Sequence, residues 1–175
     1  MVRAILSMLL SMACFFAASG APEVNQDLNG LTEVNFRVRG IGLGSSYDVV
    51  LRQLGPPIST KREKIVDEYE VCGPSYTSLK LKYEGAVIEL VGDLRWRNFK
   101  VVSMEVTSPQ ILIAPGIKIG MTEKEIRSKL GVPWQERNES CFHILDYITK
   151  GNDGGAGVHF VAGRLVKVDW QYTRC

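Results

Sequence analysis

Apolar and polar residues alternate with a period of two along several stretches of this 175-residue chain. The stretches read SLKLKYEGAVIELVGD and FKVVSMEVTSP within 78–109, and CFHILDYI, GVHFVAG and RLVKVDWQYT within 141–173. A period of two is typical of strands that bury one face and expose the other. The pattern therefore predicts two three-stranded antiparallel meanders.

Turn residues separate these strands. Glu84-Gly85 and Ala162-Gly163 predict tight turns, and KGNDGGAG at 150–157 predicts a longer, glycine-rich hairpin loop. GDLRWRNF at 92–99 is an insertion between the second and third strands of the first meander. A further irregular strand is expected near 65–71.

An eighteen-residue segment occurs twice. GIGLGSSYDVVLRQLGPP occupies 40–57 and GIKIGMTEKEIRSKLGVP occupies 116–133, 76 residues later. Each copy predicts a short helix that a proline prevents from resuming. Thr122 with Glu125 predicts a capping box, and Ser46 is the N-cap of the first copy. Gly55 and Gly131 are the predicted left-handed C-caps.

Each predicted helix carries two apolar residues one turn apart, which are Val50 with Leu54 and Ile126 with Leu130. Such short helices do not persist alone and must bury that side. We therefore predict an α+β fold of two tandem repeats, each a short helical segment packed on an antiparallel β-meander, together forming a concave sheet. The repeats are assigned to 40–109 and 110–175, after an N-terminal extension at 21–39.

The first twenty residues resemble a secretory signal peptide. One Arg precedes an apolar run from Ala4 to Ala18, and small residues precede Ala21. Cleavage is expected after Gly20, and fifteen apolar residues are too few for a membrane span. The expected location is periplasmic or secreted, without an integral span after cleavage. Lipid attachment at Cys14 is the alternative.

Composition narrows the classes of partner. Without Arg3, the 21 basic residues become 20, against 19 acidic ones, so neither nucleic acid nor an anionic membrane is indicated. Three cysteines remain after cleavage, and none has metal-site spacing. Cys141 and Cys175 are expected a strand length apart, beyond disulfide reach. Pairing of Cys72 with either one stays open.

The repeated block G-I-x-[LI]-G-x-[ST]-x3-[VI]-x3-L-G-x-P, followed by a meander, resembles the β-lactamase-inhibitor-protein-like superfamily. The resemblance covers essentially the whole mature chain. Two copies are more similar to the tandem-repeat secreted inhibitors of that group than to its single-copy outer-membrane lipoproteins. The motif encodes caps and core contacts, so it implies the fold more directly than the function.

If the helices cover one face of the sheet, the other face is free for a partner. In the first half this face is expected to carry six polar residues, Lys80, Lys82, Glu89, Ser103, Glu105 and Thr107. The alternating apolar residues, among them Val102 and Met104, should face the helices. A solvated charge ladder explains the polar set equally well.

In the second half, Val166, Val168, Trp170 and Tyr172 are expected to face inward. The predicted open face carries six residues that converge, Lys167, Asp169, Gln171, His143, Tyr147 and His159. A protein-binding surface is one interpretation. A metal site on His143, His159 and Asp169, or ordinary half-buried histidines, are the alternatives.

Two tryptophans have different expected places. Trp96 stands between Arg95 and Arg97 in the insertion and either enters a partner's cleft or covers a sheet edge. Trp134 is expected to pack beneath the second helix.

No nucleophile elbow, phosphate loop or metalloprotease helix occurs, so neither catalysis nor a cofactor is predicted. The predicted function is an exported, non-enzymatic protein-binding module, an inhibitor of a secreted or envelope protein through its open sheet face. The alternative is a cell-envelope structural or assembly factor similar to the small lipoproteins of the barrel-assembly machinery.

Overall fold

The structure is a computed structural model that describes residues 25–26, 32–65, 76–92, 98–149 and 154–172. Within these ranges the helices are α1 (Tyr47–Leu54) and α2 (Glu123–Leu130). The strands are β1 (Asn25–Gln26), β2 (Thr32–Val34), β3 (Arg37–Val38), β4 (Ser59–Ile65), β5 (Tyr76–Tyr83), β6 (Ala86–Gly92), β7 (Lys100–Val106), β8 (Ile113–Ala114), β9 (Gln135–Glu139), β10 (Phe142–Thr149), β11 (Gly154–Val161) and β12 (Arg164–Tyr172).

Ten of the described strands form a single sheet in the order β1-β2-β10-β11-β12-β7-β6-β5-β4, with β9 also paired to β10. All pairs are antiparallel except β2 with β10. The pairing of β7 with β12, from Ser103↔Gln171 to Val106↔Val168, joins the two halves of the chain. β3 and β8 form a separate two-stranded sheet.

The prediction of an α+β fold, with two helix-on-meander repeats forming a concave sheet, is wrong. The described chain is mostly antiparallel β structure, and its two helices have eight residues each. Each half contains a fourth strand directly after its helix, β4 or β9, and the β7–β12 pairing makes one sheet of both halves. These two strands read STKREKI and QERNE and lack the apolar alternation that marks a half-buried strand.

The two eighteen-residue segments have closely similar local structure. Ser46 and Thr122 have φ/ψ of −76/159° and −76/157°, and each precedes an eight-residue helix. Thr122 forms the predicted capping box with Glu125, whereas the Ser46 side chain makes no cap bond. Gly55 and Gly131 have positive φ (76° and 77°), as predicted, but ψ of −165° and −148° rather than left-handed helical values. The boundaries of the two repeats remain a prediction.

The core lies on one side of the sheet, which we call the inner face. Val50 of α1 and Ile126 and Leu130 of α2 are fully buried there. The inner-face residues of the sheet that they join include Leu79, Leu81, Ile88, Leu90, Met104, Val106, Leu145, Tyr147, Val158, Phe160, Val168 and Trp170. The helices therefore cover the inner face only, and the opposite side is the outer face.

Register shifts change two of the predicted inward residues. The pairing of β6 with β7 shifts between Glu89 and Leu90, and Val101 is buried where Val102 was expected. The pairing of β11 with β12 shifts at His159, and Leu165 is buried where Val166 was expected. An extra residue at a bulge reverses the alternation beyond it.

Two further expectations about the second half are wrong. Gly154, Gly155 and Ala156 belong to β11 and not to the predicted loop, since each is paired with a residue of β12. Trp134 is 60% exposed and does not pack beneath α2. The turns at Glu84-Gly85 and Ala162-Gly163 are confirmed, and β4 ends at Ile65.

Several expectations concern residues outside the described ranges. These are the signal peptide with Cys14, the cysteines Cys72 and Cys175, Trp96, and the predicted strand beyond Ile65. Cys141 is described and is an exposed free thiol. Neither described helix is long and apolar enough to cross a membrane.

The capping difference gives a test with a built-in control. Thr122→Ala removes the side-chain acceptor of the Glu125 N–H, and we expect the free energy of unfolding to fall by about 1 kcal/mol. Ser46→Ala removes no cap bond, so we expect a change within about 0.5 kcal/mol. Urea denaturation measures both, and equal losses would contradict a role for the capping box.

Candidate functional site

The outer face carries two neighbouring rows of side chains with opposite charge. Cross-strand register aligns Glu105, Asp169, Gly157 and Asp146 in one row, which we call the acidic row. It aligns Lys167, His159, Ile144 and Arg137 in the next, which we call the basic row. Diagonal neighbours on one face lie within reach of long side chains, so the rows can pair with each other.

The two rows are joined by ion pairs, three of them between diagonal neighbours on adjacent strands and one, Lys167 with Asp169, along β12. Lys167 Nζ lies 3.0 Å from Asp169 Oδ2 and 3.8 Å from Glu105 Oε2. His159 Nε2 lies 3.0 Å from the same Asp169 oxygen, and Arg137 Nε donates to Asp146 Oδ2 at 2.6 Å. These contacts form two groups: Arg137 with Asp146 joins β9 to β10, and His159, Asp169, Lys167 and Glu105 join β11, β12 and β7. We call the two groups together the ion-pair network.

The pKa values of two members follow from these contacts. Burial raises the pKa of the Asp169 carboxyl, but the hydrogen bonds of His159 and Lys167 outweigh burial, so the net pKa lies below the ordinary value. The hydrogen bond to Asp146 raises the pKa of Arg137. His159 is only 6% exposed, and the Phe142 ring meets its ring edge-on with centroids 5.7 Å apart.

A groove of about 360 Å³ opens on the outer face above β11. Gly155 and Gly157 lie at its floor, Asp146 and Asp169 beside them, and Trp134 and Gln171 on its walls. The two glycines alternate with buried Ala156 and so lie on the outer face. A strand residue without a side chain leaves a gap between its neighbours, and two such residues in alternate positions produce the groove.

The glycines differ in their surroundings. A Cβ at Gly157 would lie 2.8 Å from Asp169 Oδ1 and 2.8 Å from His159 Nε2, whereas a Cβ at Gly155 would have only the Tyr147 carbonyl oxygen, at 3.9 Å. Gly157 is therefore required by the ion pair above it. Gly155 has free space above it.

A smaller depression of about 290 Å³ lies on the outer face of the first half. It is lined by Lys80, Val87, Glu89, Ser103 and Glu105. Ser78 Oγ donates to Glu89 Oε1 at 2.9 Å. The outer face thus has a depression in the first half and a larger groove in the second.

The structure brings together most of the predicted partner-binding residues. The outer face holds nine of them, Lys80, Lys82, Glu89, Ser103, Glu105, His159, Lys167, Asp169 and Gln171. Thr107 is exposed just beyond the end of β7, where its N–H donates to the Gly85 carbonyl. Trp96 lies outside the described residues. Whether any of them binds a partner stays a prediction.

The predicted convergence of His143 and Tyr147 with His159 is wrong. Leu145 and Tyr147 belong to the core, and His143 is on the same side of β10, in register with buried Phe160. His159 is in register with Ile144 and therefore faces the other way. Tyr147 is 1% exposed, its hydroxyl donates to the Gly131 carbonyl, and burial raises its pKa to about 12.

A metal site on His143, His159 and Asp169 is excluded by this placement, because the sheet separates His143 from the other two. A different group, Glu123, Glu136 and His143, has ligand atoms within 4.8 Å of one another. Arg127 already binds both carboxylates, each at 2.8 Å, and the Glu136 bond raises the pKa of Arg127. This group is therefore satisfied as an ion-pair cluster.

Sequence reasoning missed five residues of the groove: Trp134, Arg137, Asp146, Gly155 and Gly157. The polar run QERNE hid β9, and the glycines of GGAG suggested a loop. One available signal was the spacing Gly155-Ala156-Gly157-Val158, in which glycines and apolar residues alternate with the strand period.

No protein-family model and no curated protein matches the chain. Similar solved structures include an extracellular protein containing an SCP domain from Bacillus anthracis str. Ames, at 15% identity and a TM-score of 0.43. That match covers 74% of this chain and 44% of the other, so the chain spans less than half of that protein.

Another similar structure is described as a "putative beta-lactamase inhibitor protein" from Streptococcus mutans, at 18% identity and a TM-score of 0.29. The match covers 73% of this chain and 83% of the other. That description names the same group of proteins that the repeated motif resembles.

The two glycines provide a matched pair of substitutions. We expect Gly157→Ala to lower the free energy of unfolding by about 1–2 kcal/mol, because its Cβ displaces the Asp169 and His159 side chains from their bond. We expect Gly155→Ala to be neutral or to stabilise by about 0.5 kcal/mol, since nothing crowds its Cβ. Denaturation curves test both, and equal effects would contradict the assigned geometry.

Asp169 gives the outer face a pH-dependent stability. A carboxyl whose pKa is lowered by folding stabilises the chain above its ordinary pKa, about 3.9, and this contribution is lost as pH falls through the lower folded-state value. We expect Asp169→Asn to cost about 1 kcal/mol at neutral pH. The difference in free energy of unfolding between the parent and the variant should disappear at acidic pH. Denaturation over a pH series measures it, and a constant gap would contradict the ion pair.

Proposed function

We propose that this chain is an exported, non-enzymatic binding module that engages an exported or envelope protein through the outer face of its sheet. The observation that carries the proposal is the groove over Gly155 and Gly157, with Trp134 60% exposed on its wall. A large aromatic side chain beside an open groove is a typical anchor of protein–protein interfaces. An inhibitory effect would follow where the bound surface of the partner includes its active site.

The ion-pair network supports this proposal by making the face rigid. The charged groups of the acidic and basic rows are held by one another before any partner arrives. A preorganised surface loses less side-chain entropy on binding. Interfaces also combine a few aromatic anchors with a polar surround, which is the composition around Trp134.

The same network supports a binding role over a catalytic one. Asp169, one of the two carboxylates of the groove, is held by Lys167 and His159, and its low pKa makes it a weak base. A general base needs a pKa near the working pH. The absence of catalysis remains a prediction.

The test uses the mature chain as bait on the envelope fraction of its source cells. A captured protein is identified, purified and titrated against the parent chain and two variants, Trp134→Ala and Gly155→Tyr. The first removes the anchor, and the second fills the groove from a position where a Cβ has no neighbour closer than 3.9 Å. We expect each to weaken binding by at least about tenfold.

Matched controls separate binding from folding. Val132→Ala removes an apolar residue that is 62% exposed, two positions before Trp134, and Gly155→Ala leaves the groove open. Both should bind like the parent. Undiminished binding by Trp134→Ala and Gly155→Tyr would remove the groove from the interface.

A further inference from the structure

We propose that a pocket on the inner side of the sheet binds a small organic carboxylate. This pocket, which we call the inner pocket, has a volume of about 410 Å³ and lies between the segment 34–37 and the ends of β10 and β12. Such a volume is within the range of small-molecule sites. The groove of the proposed function is on the outer face, so this inference stands independently of it.

The position of the inner pocket follows from the strand alternation. Thr149 of β10 is two residues beyond buried Tyr147, and Tyr172 of β12 is two residues beyond buried Trp170. Residues two apart on a strand lie on the same face. Thr149 and Tyr172 therefore extend the inner face to the ends of their strands, beside the segment that follows β2.

Apolar and aromatic side chains line much of the inner pocket. Phe36 stacks on Trp170 with ring centroids 5.6 Å apart, and the two side chains are 2% and 1% exposed. Val34 and Leu43 also line the pocket. Walls of this kind favour a ligand with an apolar or aromatic body.

The polar groups of the inner pocket favour an anion. Among its lining residues that the structure describes, Arg37 is the only charged one, and it is exposed, so a ligand can reach it. Tyr172 and Thr149 add hydroxyl groups, and Asn35 adds an amide. A guanidinium binds the two oxygens of a carboxylate in a planar arrangement that few other anions match.

Arg37 is positioned before any ligand binds. Its Nε donates to Asn35 Oδ1 at 3.2 Å, and its Nη1 donates to the Gly40 carbonyl at 3.0 Å. A guanidinium has five N–H groups. The N–H groups of Nη2 and the second one of Nη1 have no partner in the described part of the chain, so they remain for a carboxylate.

Gly42 makes room for the Arg37 side chain. A Cβ at Gly42 would lie 3.3 Å from Arg37 Cγ and 3.3 Å from the Phe36 carbonyl oxygen, which is a tight contact. The second eighteen-residue segment has Lys118 at the equivalent position, 76 residues later. The shared local structure therefore accepts a side chain there, and the glycine of the first copy is explained by the arginine that lies across it.

Trp170 provides the inner pocket with an unused buried donor. Its Nε1 is buried and has no hydrogen-bond acceptor among the described residues. A buried N–H group without an acceptor is unfavourable and uncommon in native structures. A carboxylate oxygen that reaches the Trp170 side of the pocket supplies this acceptor.

These groups together define the class of ligand. One cation favours a monoanion, and the walls around Phe36 and Leu43 favour an aromatic or short aliphatic body. Phenylacetate and hexanoate combine both features. An inorganic anion would leave the apolar walls without a contact.

NMR titration of the ¹⁵N-labelled mature chain with phenylacetate tests the proposal. The chain has three tryptophans, so the indole N–H signal of Trp170 is assigned by elimination with Trp134→Phe and Trp96→Phe. We expect a saturable shift of that signal, with a dissociation constant on the order of millimolar for so small a ligand. Neutral phenylacetamide, which has the same shape, should bind at least about tenfold more weakly.

Matched variants assign the effect to the arginine. Arg37→Gln should weaken phenylacetate binding at least about tenfold, because it removes the charge that pairs with the carboxylate. Arg39→Gln makes the same change two residues later, at a side chain that bonds to the Gln53 carbonyl, and it should bind like the parent. Gly42→Ala should also weaken binding by displacing Arg37. Unfolding curves confirm that each variant folds.

Three results would overturn the proposal. The first is the absence of a saturable Trp170 shift with both phenylacetate and hexanoate up to about 50 mM, well above the expected dissociation constant. The second is equal binding of phenylacetamide, or undiminished binding by Arg37→Gln. The third is an equal shift with sulfate, which would show a general anion effect without recognition of an organic carboxylate.

Discussion

The antiparallel pairing of β7 with β12 is the contact on which the rest of the structure depends. It brings Met104 beside Trp170 on the inner face, so the two halves share one core. On the outer face it brings Glu105 beside Asp169, and Lys167 binds both. A slip of one residue would expose Trp170 and bury Asp169, so burial on one face fixes the polar arrangement on the other.

The two outer-face glycines of β11 have different physical explanations. Glycine inside a strand loses packing area and backbone entropy, so its presence needs a reason. At Gly157 the reason is local, because the Asp169 and His159 side chains occupy the space a Cβ would need. At Gly155 no neighbour crowds that position. The absence of a side chain at Gly155 therefore keeps the groove open without relieving any contact in the chain. This favours a use of the groove beyond the packing of the monomer.

A structural feature can be predicted from the sequence only where it produces a recognisable pattern of residues. Burial of one face of a strand produces an alternation of apolar and polar residues, so the strands around Leu81, Ile88 and Val168 and the turns between them were predicted correctly. The capping box at Thr122 has its own signature and was also predicted. A β-bulge cannot be recognised from the alternation of residues, because one extra residue reverses the alternation without changing the composition of the strand. Val102 and Val166 were therefore assigned to the wrong face.

The candidate site was predictable only in part for the same reason. Lys80, Glu105 and Asp169 were assigned to the outer face because they alternate with core residues on well-marked strands. β9 has polar side chains on both faces, so neither the strand nor the position of Arg137 was visible in its sequence. His143 and His159 were both assigned to the open face of neighbouring strands, but their register puts them on opposite sides of the sheet.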